Sequence, residues 1–362
     1  MTLLEKNIRK EIIRFERIND SFEERYEYLR LDKNERIIPF SNEQMESLKN
    51  MITSEVISGY HELGPVYKKL SKFLGISLDQ ILLAAGSDLA IKTVFETIIE
   101  RGDNIVLHSP SYAMYKVYAN LFGAEIREVS VSPTWELDIE SMLSMVNDKT
   151  KIFVLENPNG FVGTKPSLET LEFCAKELAK KDVFFVIDEA YIYIENEKSE
   201  SIKFLSDYPN VLISQTFSKA HGLAGVRVGL LLGNESVMKY FSRVRPMHEI
   251  SSVSAVSTIW VLDNPELLSF YQKEIVKSKS FLFKELELLN LSYKDTHTNF
   301  ILVYLPDESR TKGITQKLKD RKILIRRPFE VELLRGWSRV CVGDLNDSSK
   351  FINALKDILV TK

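Results

Sequence analysis

Residues 211–229 read VLISQTFSKAHGLAGVRVG, and the segment at residues 183–191 reads VFFVIDEAY. Each segment opens with a short and almost continuous apolar run, which is typical of a strand covered on both faces of a parallel sheet. Polar side chains follow, among them Asp188 and Lys219. Because ligands of open α/β sheets bind at the carboxyl ends of the strands, the two segments predict both the sheet and the edge at which its chemistry takes place.

The same pattern extends toward the N-terminus. Further strand-like apolar runs occupy residues 81–85, 104–108, 124–131 and 151–156. Helical patterns lie between the strands, for example at residues 87–100 and 167–181. This alternation predicts an α/β fold with a mostly parallel sheet and helices on both of its faces.

The last third of the chain has a different pattern, in which a long helix (265–289) precedes strand-like runs at 299–305, 323–327 and 338–343. Strands and helices that segregate in this way predict a smaller α+β domain. Near the N-terminus, apolar residues recur at helical spacing over residues 4–30, and a second helix is predicted from residue 44 to 58. We therefore expect an N-terminal segment (1–43) that packs with the small domain, a large α/β domain (44–255) and a small C-terminal domain (256–362).

Composition excludes several classes of function. The chain has 362 residues, with 48 Lys and Arg against 51 Asp and Glu, so it has no basic excess for a nucleic-acid backbone. Two cysteines, Cys174 and Cys341, are too few for a disulfide scaffold or a cysteine-rich metal site, and they suit a reducing compartment. No apolar run is typical of a signal peptide or reaches the roughly 18 residues of a membrane span. We expect a cytoplasmic enzyme without a metal and without nucleic-acid or membrane partners.

Residues at the predicted strand ends suit chemistry, and each has a structural alternative. Gly86-Ser87-Asp88 stands where a strand turns into a helix and suits a phosphate, although it is also an ordinary turn and N-cap. Asp188 follows five apolar residues and needs a positive partner, or else serves as an N-cap or in a salt bridge. Lys219 could form a Schiff base, and Arg227 could bind an anion. A solvated lysine and a structural carboxylate partner for Arg227 are the alternatives.

The combination of these motifs is more specific than its parts. The DEAY motif followed by TFSKAHGLAGVRVG (216–229) resembles fold-type I pyridoxal-phosphate aminotransferases, which share the segment S-K-x-x-x-L-A-G-x-R-x-G. The segments GYHELGPVYKKLSKFLG (59–75), PSYAMY (110–115) and RVCVG (339–343) resemble the histidinol-phosphate aminotransferase branch. The resemblance implies a seven-stranded type of sheet, pyridoxal 5'-phosphate as cofactor, and a homodimer with shared active sites.

The resemblance also implies a role for each matching residue. Lys219 would carry the cofactor as a Schiff base and move the proton at the substrate's α-carbon. Asp188 would keep the pyridine nitrogen protonated, Tyr191 would donate to the ring oxygen, and Tyr112 would stack on the ring. Arg339 would bind an anionic group of the substrate. The phosphate would be held by Gly86, Ser87, Asp88, Thr216, Ser218 and Arg227, and across the dimer by Tyr60.

Two segments depart from the family pattern. Where the family has N-P-x-N-P-T-G, residues 157–163 read NPNGFVG, so Gly160 stands in place of the asparagine that contacts the ring oxygen. Asn159 is the candidate substitute. Where the family has N-E-N-P, residues 34–37 read NERI. Asn34 and Arg36 are candidate substrate contacts, and a solvated surface position is the alternative for Arg36.

The sequence is compatible with three functions. The first is a transaminase that moves an amino group from an amino acid such as glutamate to a small, phosphorylated oxo compound. The second is a decarboxylase of an O-phosphorylated amino acid, similar to the threonine-phosphate decarboxylases, with the same cofactor. The third is a scaffold that binds ligands or partners without catalysis, against which the intact Lys219, Asp188, Tyr191 and Arg227 argue.

Overall fold

The structure is a computed structural model that describes residues 5–13, 24–305, 308–326, 329 and 331–360. Within these ranges there are twelve strands: β1 (Leu29–Leu31), β2 (Ile81–Ala84), β3 (Asn104–Ser109), β4 (Glu125–Ser130), β5 (Thr150–Glu156), β6 (Phe184–Asp188), β7 (Val211–Thr216), β8 (Gly229–Gly233), β9 (Tyr293–Lys294), β10 (Phe300–Tyr304), β11 (Ile323–Ile325) and β12 (Trp337–Cys341).

The same ranges hold fourteen α-helices: α1 (Lys10–Ile13), α2 (Asn42–Met51), α3 (Ser54–Ser58), α4 (Gly64–Leu74), α5 (Ser87–Ile98), α6 (Ala113–Phe122), α7 (Ile139–Ser144), α8 (Leu168–Ala179), α9 (Phe204–Asp207), α10 (Glu235–Phe241), α11 (Ser252–Asp263), α12 (Glu266–Leu288), α13 (Glu308–Asp320) and α14 (Leu345–Val360). None of these helices is both long enough and apolar enough to cross a bilayer.

Seven strands form the central sheet in the order β2-β8-β7-β6-β5-β3-β4. Strand β8 runs antiparallel to both of its neighbours, and the other paired neighbours are parallel. Helices cover both faces: Leu70, Cys174 and Trp260 belong to one buried cluster, and Phe95 and Tyr115 belong to the other. The predicted α/β class with a mostly parallel sheet is therefore confirmed.

The register of the sheet brings the ends of its strands together. Glu156 at the end of β5 pairs with Asp188 at the end of β6, and Asp188 pairs with Ser214 of β7. The carboxyl ends of these parallel strands therefore meet at one edge, where the polar residues that follow each strand can surround a ligand.

A second core lies under the antiparallel sheet β12-β10-β9, against which α12 and α14 pack. The N-terminal segment joins this core, because β1 pairs in parallel with β11 and both Leu31 and Ile38 are buried in it. The predicted boundary at residues 255 and 256 falls inside α11, which packs under the large sheet through Ala255 and Trp260.

Three local predictions need correction. The helix predicted over residues 4–30 is present only at α1 among the described residues, and residues 4 and 14–23 lie outside them. Residues 29–31 form a strand because their pairing with residues 323–325 overrides the local helical spacing. The helix predicted from residue 44 to 58 is divided, since the Thr53 side chain caps a new helix by accepting from the Val56 N–H. Strand β8 was not predicted.

Candidate active site

A cavity of about 250 Å³ opens where the carboxyl ends of the strands meet. Eleven residues that the sequence singled out line it: Asn34, Ser87, Asp88, Tyr112, Asp188, Tyr191, Thr216, Ser218, Lys219, Arg227 and Arg339. Arg326, a candidate for an anionic substrate on the predicted strand 323–327, also lines it. Seven further lining residues were not predicted: Lys33, Ala113, Glu156, Pro158, Gly160, Phe161 and Ala190. Among the described residues, no group of three or more His, Cys, Asp or Glu could hold a metal ion.

Asp188 is the buried carboxylate of this cavity. One oxygen accepts a hydrogen bond from the Tyr115 hydroxyl at 2.8 Å, and the other accepts from the Ala190 N–H at 3.1 Å. Burial raises the pKa of Asp188 to about 6, and the hydrogen bonds and the charge of Lys219 oppose this rise. A cation bound next to Asp188 would favour the ionised form further, so the site suits a protonated ring nitrogen.

A candidate anion site lies at the start of α5, whose first-turn N–H groups have no intrahelical acceptors. Arg227 reaches this turn, and its Nη1 lies 3.4 Å from the Ser218 hydroxyl. Gly86 has a φ of +84°, and a Cβ on it would lie 2.3 Å from Nη2 of Arg227. Only glycine therefore lets the guanidinium approach the helix N-terminus. Together with the Thr216 hydroxyl, which is 3.0 Å from that of Ser218, these donors suit a phosphate.

Lys219 is half-buried beside the N-terminal segment. Its Nζ donates to the Lys33 carbonyl at 3.3 Å and lies 5.4 Å from the centre of the Tyr191 ring. The Tyr191 hydroxyl accepts from Nδ2 of Asn34 at 2.8 Å, and Asn34 is itself held by Cys341, whose Sγ lies 3.1 Å from its Oδ1. The amine is thus next to a fixed phenol, and residues near both ends of the chain hold the pair in place.

Arg339 is buried, with 8% of its surface exposed, and its Nη1 donates to the Gly160 carbonyl at 2.6 Å. The rings of Phe161, Phe300 and Phe329 lie within 5.8 Å of the guanidinium. Among the described residues, nothing accepts from its buried Nε. The guanidinium is therefore fixed in orientation at the cavity wall.

Two predicted site residues lie outside the cavity lining and are engaged in packing. The Oδ1 of Asn159 accepts from the N–H groups of Phe161 and Val162 at 2.7 and 2.8 Å, and its Nδ2 donates to the Pro110 carbonyl at 3.0 Å. Asn159 therefore shapes the loop after β5, and its side chain is not directed at the cavity as its predicted ring contact required.

Arg36 is neither solvated nor a lining residue. Its guanidinium donates to the carbonyls of Ile38, Ala220 and Leu267 and lies over the rings of Phe40 and Tyr271. Burial lowers the pKa of Arg36 to about 10. The side chain holds the N-terminal segment against the loop after Lys219, so the expected substrate contact is replaced by a packing role.

Tyr60 also lies outside the cavity of its own chain. Its ring is 85% exposed and stacks on His248, with 4.1 Å between the ring centres. A single chain therefore does not bring Tyr60 to the phosphate site.

Glu156 is the main lining residue that sequence reasoning missed. It is 4% exposed, and burial followed by the charge of Asp188 raises its pKa to about 8. The signal was present, because Glu156 ends an apolar strand run in the same way as Asp188 does.

The comparisons with known proteins agree with this geometry. The family described as "Aminotransferase class I and II" matches residues 30–355. The chain is 31% identical over 296 residues to histidinol-phosphate aminotransferase of Christiangramia forsetii, covering 81% of this chain and 83% of that one. It is 29% identical over 363 residues to the enzyme of the same name from Thermoanaerobacter pseudethanolicus, covering 99% and 100%.

Two solved structures share the fold. Histidinol-phosphate aminotransferase from Sinorhizobium meliloti, in complex with pyridoxal-5'-phosphate, is similar with a TM-score of 0.88 at 22% identity, over 98% of each chain. Aspartate aminotransferase from Thermus thermophilus with maleate is similar with a TM-score of 0.75 at 18% identity, over 91% of each chain.

Proposed function

This chain belongs to the class I and II aminotransferases, and we propose that it is a pyridoxal-phosphate-dependent transaminase of the histidinol-phosphate aminotransferase-like branch. It moves an amino group between an amino acid and a small phosphorylated oxo compound. The observation that carries the proposal is the convergence of Lys219, Asp188 and Arg227 on one cavity.

The residues of the cavity fit the cofactor at three points. The first turn of α5, Arg227 and the hydroxyls of Thr216 and Ser218 suit its phosphate. Asp188, a buried carboxyl with a raised pKa, suits its protonated ring nitrogen. The amine of Lys219 lies in the same cavity and suits its aldehyde. When bound, the cofactor supplies an electron sink for the bonds at the substrate's α-carbon.

The chain's own residues then have distinct tasks. Nζ of Lys219 would carry the proton between the substrate's α-carbon and the aldehyde carbon of the bound cofactor. Asp188 holds a proton on the ring nitrogen, and the Tyr115 hydroxyl keeps its carboxylate oriented from behind. Tyr191, fixed by Asn34, donates its hydroxyl proton into the cavity.

Arg339 binds the anionic group of the substrate, because its guanidinium lines the cavity and is held in place by the Gly160 carbonyl. Lys33 and Arg326 line the same cavity and add positive charge. A cavity with this excess of cations suits a substrate that brings a carboxylate or a phosphate in addition to the phosphate of the cofactor. Glutamate is the amino donor that we expect first.

We further propose that the active form is a homodimer in which Tyr60 completes the partner's phosphate site. Tyr60 is exposed beside His248, and Met247 on the same surface is 90% exposed. An aromatic patch of this kind is typical of an interface. Mixed dimers, in which one chain carries Tyr60→Ala and the other Lys219→Ala, test this. One complete site should restore about a quarter to a half of the wild-type rate if Tyr60 acts across the dimer, and none if it acts within its own chain.

A half-reaction screen tests the main proposal. The cofactor-saturated protein is mixed with L-glutamate, L-aspartate, O-phospho-L-threonine or histidinol phosphate while the cofactor absorbance is followed. A transaminase converts the cofactor to its amine form without an acceptor, and borohydride treatment beforehand should leave a pyridoxyl adduct on the peptide that contains Lys219. Release of carbon dioxide without an oxo acceptor would instead favour the decarboxylase, and an unmodified peptide would refute both.

A further inference from the structure

The cavity holds two buried carboxyl groups, and the proposed mechanism uses one of them. Glu156 and Asp188 are register partners at the ends of the neighbouring strands β5 and β6, and both line the cavity. Asp188 faces the tyrosine hydroxyl of Tyr115, whereas Glu156 has contacts of a different kind. Its role therefore needs a separate explanation.

Glu156 joins two backbone segments of the cavity wall. Its Oε1 accepts from the N–H of Tyr112 at 2.5 Å, and its Oε2 accepts from the N–H of Gly160 at 2.7 Å. The carbonyl of Gly160 in turn accepts from Nη1 of Arg339 at 2.6 Å. The Glu156 side chain thus fixes the backbone of Tyr112, whose ring lines the cavity, and the backbone of Gly160, whose carbonyl holds the Arg339 guanidinium.

Gly160 lies close to both the Glu156 carboxyl and the Tyr191 ring. A Cβ on Gly160 would lie 3.4 Å from Oε2 of Glu156, 3.2 Å from Cε2 of Tyr191 and 3.5 Å from its hydroxyl. A side chain at position 160 would therefore enter the space between the Glu156 carboxyl and the Tyr191 phenol.

We propose that Glu156 is a positioning residue for the substrate, which orients Arg339 and Tyr112 from inside the cavity through the backbone of Gly160 and Tyr112. The proposal rests on the proposed function, in which Arg339 holds the substrate's anionic group. It predicts that loss of the Glu156 contacts weakens substrate binding more than cofactor binding. Arg339 is the anion-binding group for the substrate, whereas the cofactor keeps Lys219, Asp188 and the phosphate site at α5 even when the Tyr112 ring shifts.

Electrostatics support this assignment. The charges that act on Glu156 are those of Asp188, which opposes its ionisation, and of Arg339, which favours it. Burial is the larger effect and raises the pKa of Glu156 to about 8. A neutral Glu156 leaves the negative charge of the cavity with Asp188, where the ring nitrogen needs it, and does not cancel the charge that Arg339 offers to a substrate anion.

The test compares Glu156→Gln with Glu189→Gln in the cofactor-loaded protein. Glutamine keeps the size of the side chain, but its amide NH₂ cannot accept from a backbone N–H. Glu189 is the matched control, since it is also a buried carboxyl at the end of β6 and accepts from Gln215 at 2.8 Å, but it does not line the cavity. The probe is whichever of the four compounds in the screen above reacts fastest with the wild type.

For Glu156→Gln we expect the apparent Kd of the probe to rise about tenfold to a hundredfold, the range for loss of a hydrogen bond to a charged or buried group. The Kd of pyridoxal phosphate, from an absorbance titration, should change less than threefold. Glu189→Gln should leave the ratio of the two constants at its wild-type value. Gly160→Ala provides a second variant and should raise the probe Kd in the same direction.

Two results would overturn the proposal: a probe Kd within twofold of wild type in folded, cofactor-loaded Glu156→Gln, or equal losses of probe and cofactor affinity in both glutamine variants. If Glu156→Gln does not fold, Glu156→Asp replaces it, because the shorter side chain cannot reach the N–H groups of both Tyr112 and Gly160. An unchanged probe Kd in Glu156→Asp then refutes the proposal, and a raised one with an unchanged cofactor Kd supports it. Failure of the wild-type protein to bind pyridoxal phosphate would instead refute the proposed function.

Discussion

Replacing Glu156 by glutamine should remove a pH dependence from the stability of the cofactor-free protein. Burial raises the pKa of Glu156 from 4.5 to about 8, so the folded state keeps a proton that the unfolded chain releases between these values. Each pH unit in this window lowers the wild-type free energy of unfolding by about 1.4 kcal/mol through this one group. Over the roughly 3.5 pH units of this window, the free energy of unfolding falls by about 5 kcal/mol. Glutamine does not titrate, so the Glu156→Gln variant should not show this fall.

This change of stability with pH is opposite in sign to that produced by a carboxylate in a salt bridge. The contribution of Glu156 is fully present below pH 4.5 and is lost as the pH rises toward 8, above which both states are ionised. The pKa of Asp188 is also raised, to about 6, so its contribution to stability is likewise lost as the pH rises, over a narrower pH range. Burial lowers the pKa of His108 to about 4, so its contribution is instead lost as the pH falls. Subtracting the variant from the wild type cancels the groups whose pKa values do not depend on Glu156.

Urea unfolding of both proteins at pH 5, 6, 7, 8 and 9 measures this difference, provided that the slope of free energy against urea is the same for the two. The wild type should lose about 4 kcal/mol relative to Glu156→Gln between pH 5 and 8, and no more above that. A difference that stays constant within about 1 kcal/mol would refute the reasoning. It would mean that the two backbone N–H groups stabilise an ionised Glu156 strongly enough to offset its burial.

Three further changes test the site. Lys219→Ala should abolish turnover and leave the urea midpoint almost unchanged, because the side chain is half-buried and contributes little to the core; normal turnover would exclude Lys219. Asp188→Asn should lower the half-reaction rate by two or more orders of magnitude with the cofactor still bound, and unchanged kinetics would contradict its role at the ring nitrogen. Gly86→Ala places a Cβ 2.3 Å from Nη2 of Arg227 at a φ of +84°. Its pyridoxal phosphate Kd should rise at least about tenfold, and an unchanged Kd would remove Arg227 from the phosphate site.

Much of the large sheet could be predicted from the sequence, because strands covered on both faces have continuous apolar runs. The six predicted runs from residue 81 to 216 coincide with β2 to β7 within one or two residues. Strand β8 was missed because GLLLG (229–233) directly follows the glycine-rich lysine loop and was not separated from it. Its antiparallel pairing with β7 and β2 depends on contacts that are distant in sequence.

The site shows the same division. Residues at the end of a strand or in the loop after it, such as Asp188 and Lys219, could be placed in the cavity from the sequence alone. The carboxyl ends of the parallel strands meet at one edge of the sheet, which fixes where these residues lie. Arg36 and Asn159 could not, because their partners are backbone groups whose positions follow from tertiary packing, such as the carbonyls of Leu267 and Pro110. Glu156 has the same strand-end position as Asp188, but the resemblance gave no role to it.

The pairing of β1 with β11 has a consequence for synthesis on the ribosome. The pairing partner of Leu29 is Ile323, which is translated 294 residues later, and Cys341, the partner of Asn34, is translated later still. At about 5 to 20 residues per second, the nascent chain carries this unpaired segment for roughly 15 to 60 s. The side of the pocket that Asn34 and Cys341 hold in place is therefore completed only near the end of translation, long after the lysine and the phosphate site have been made.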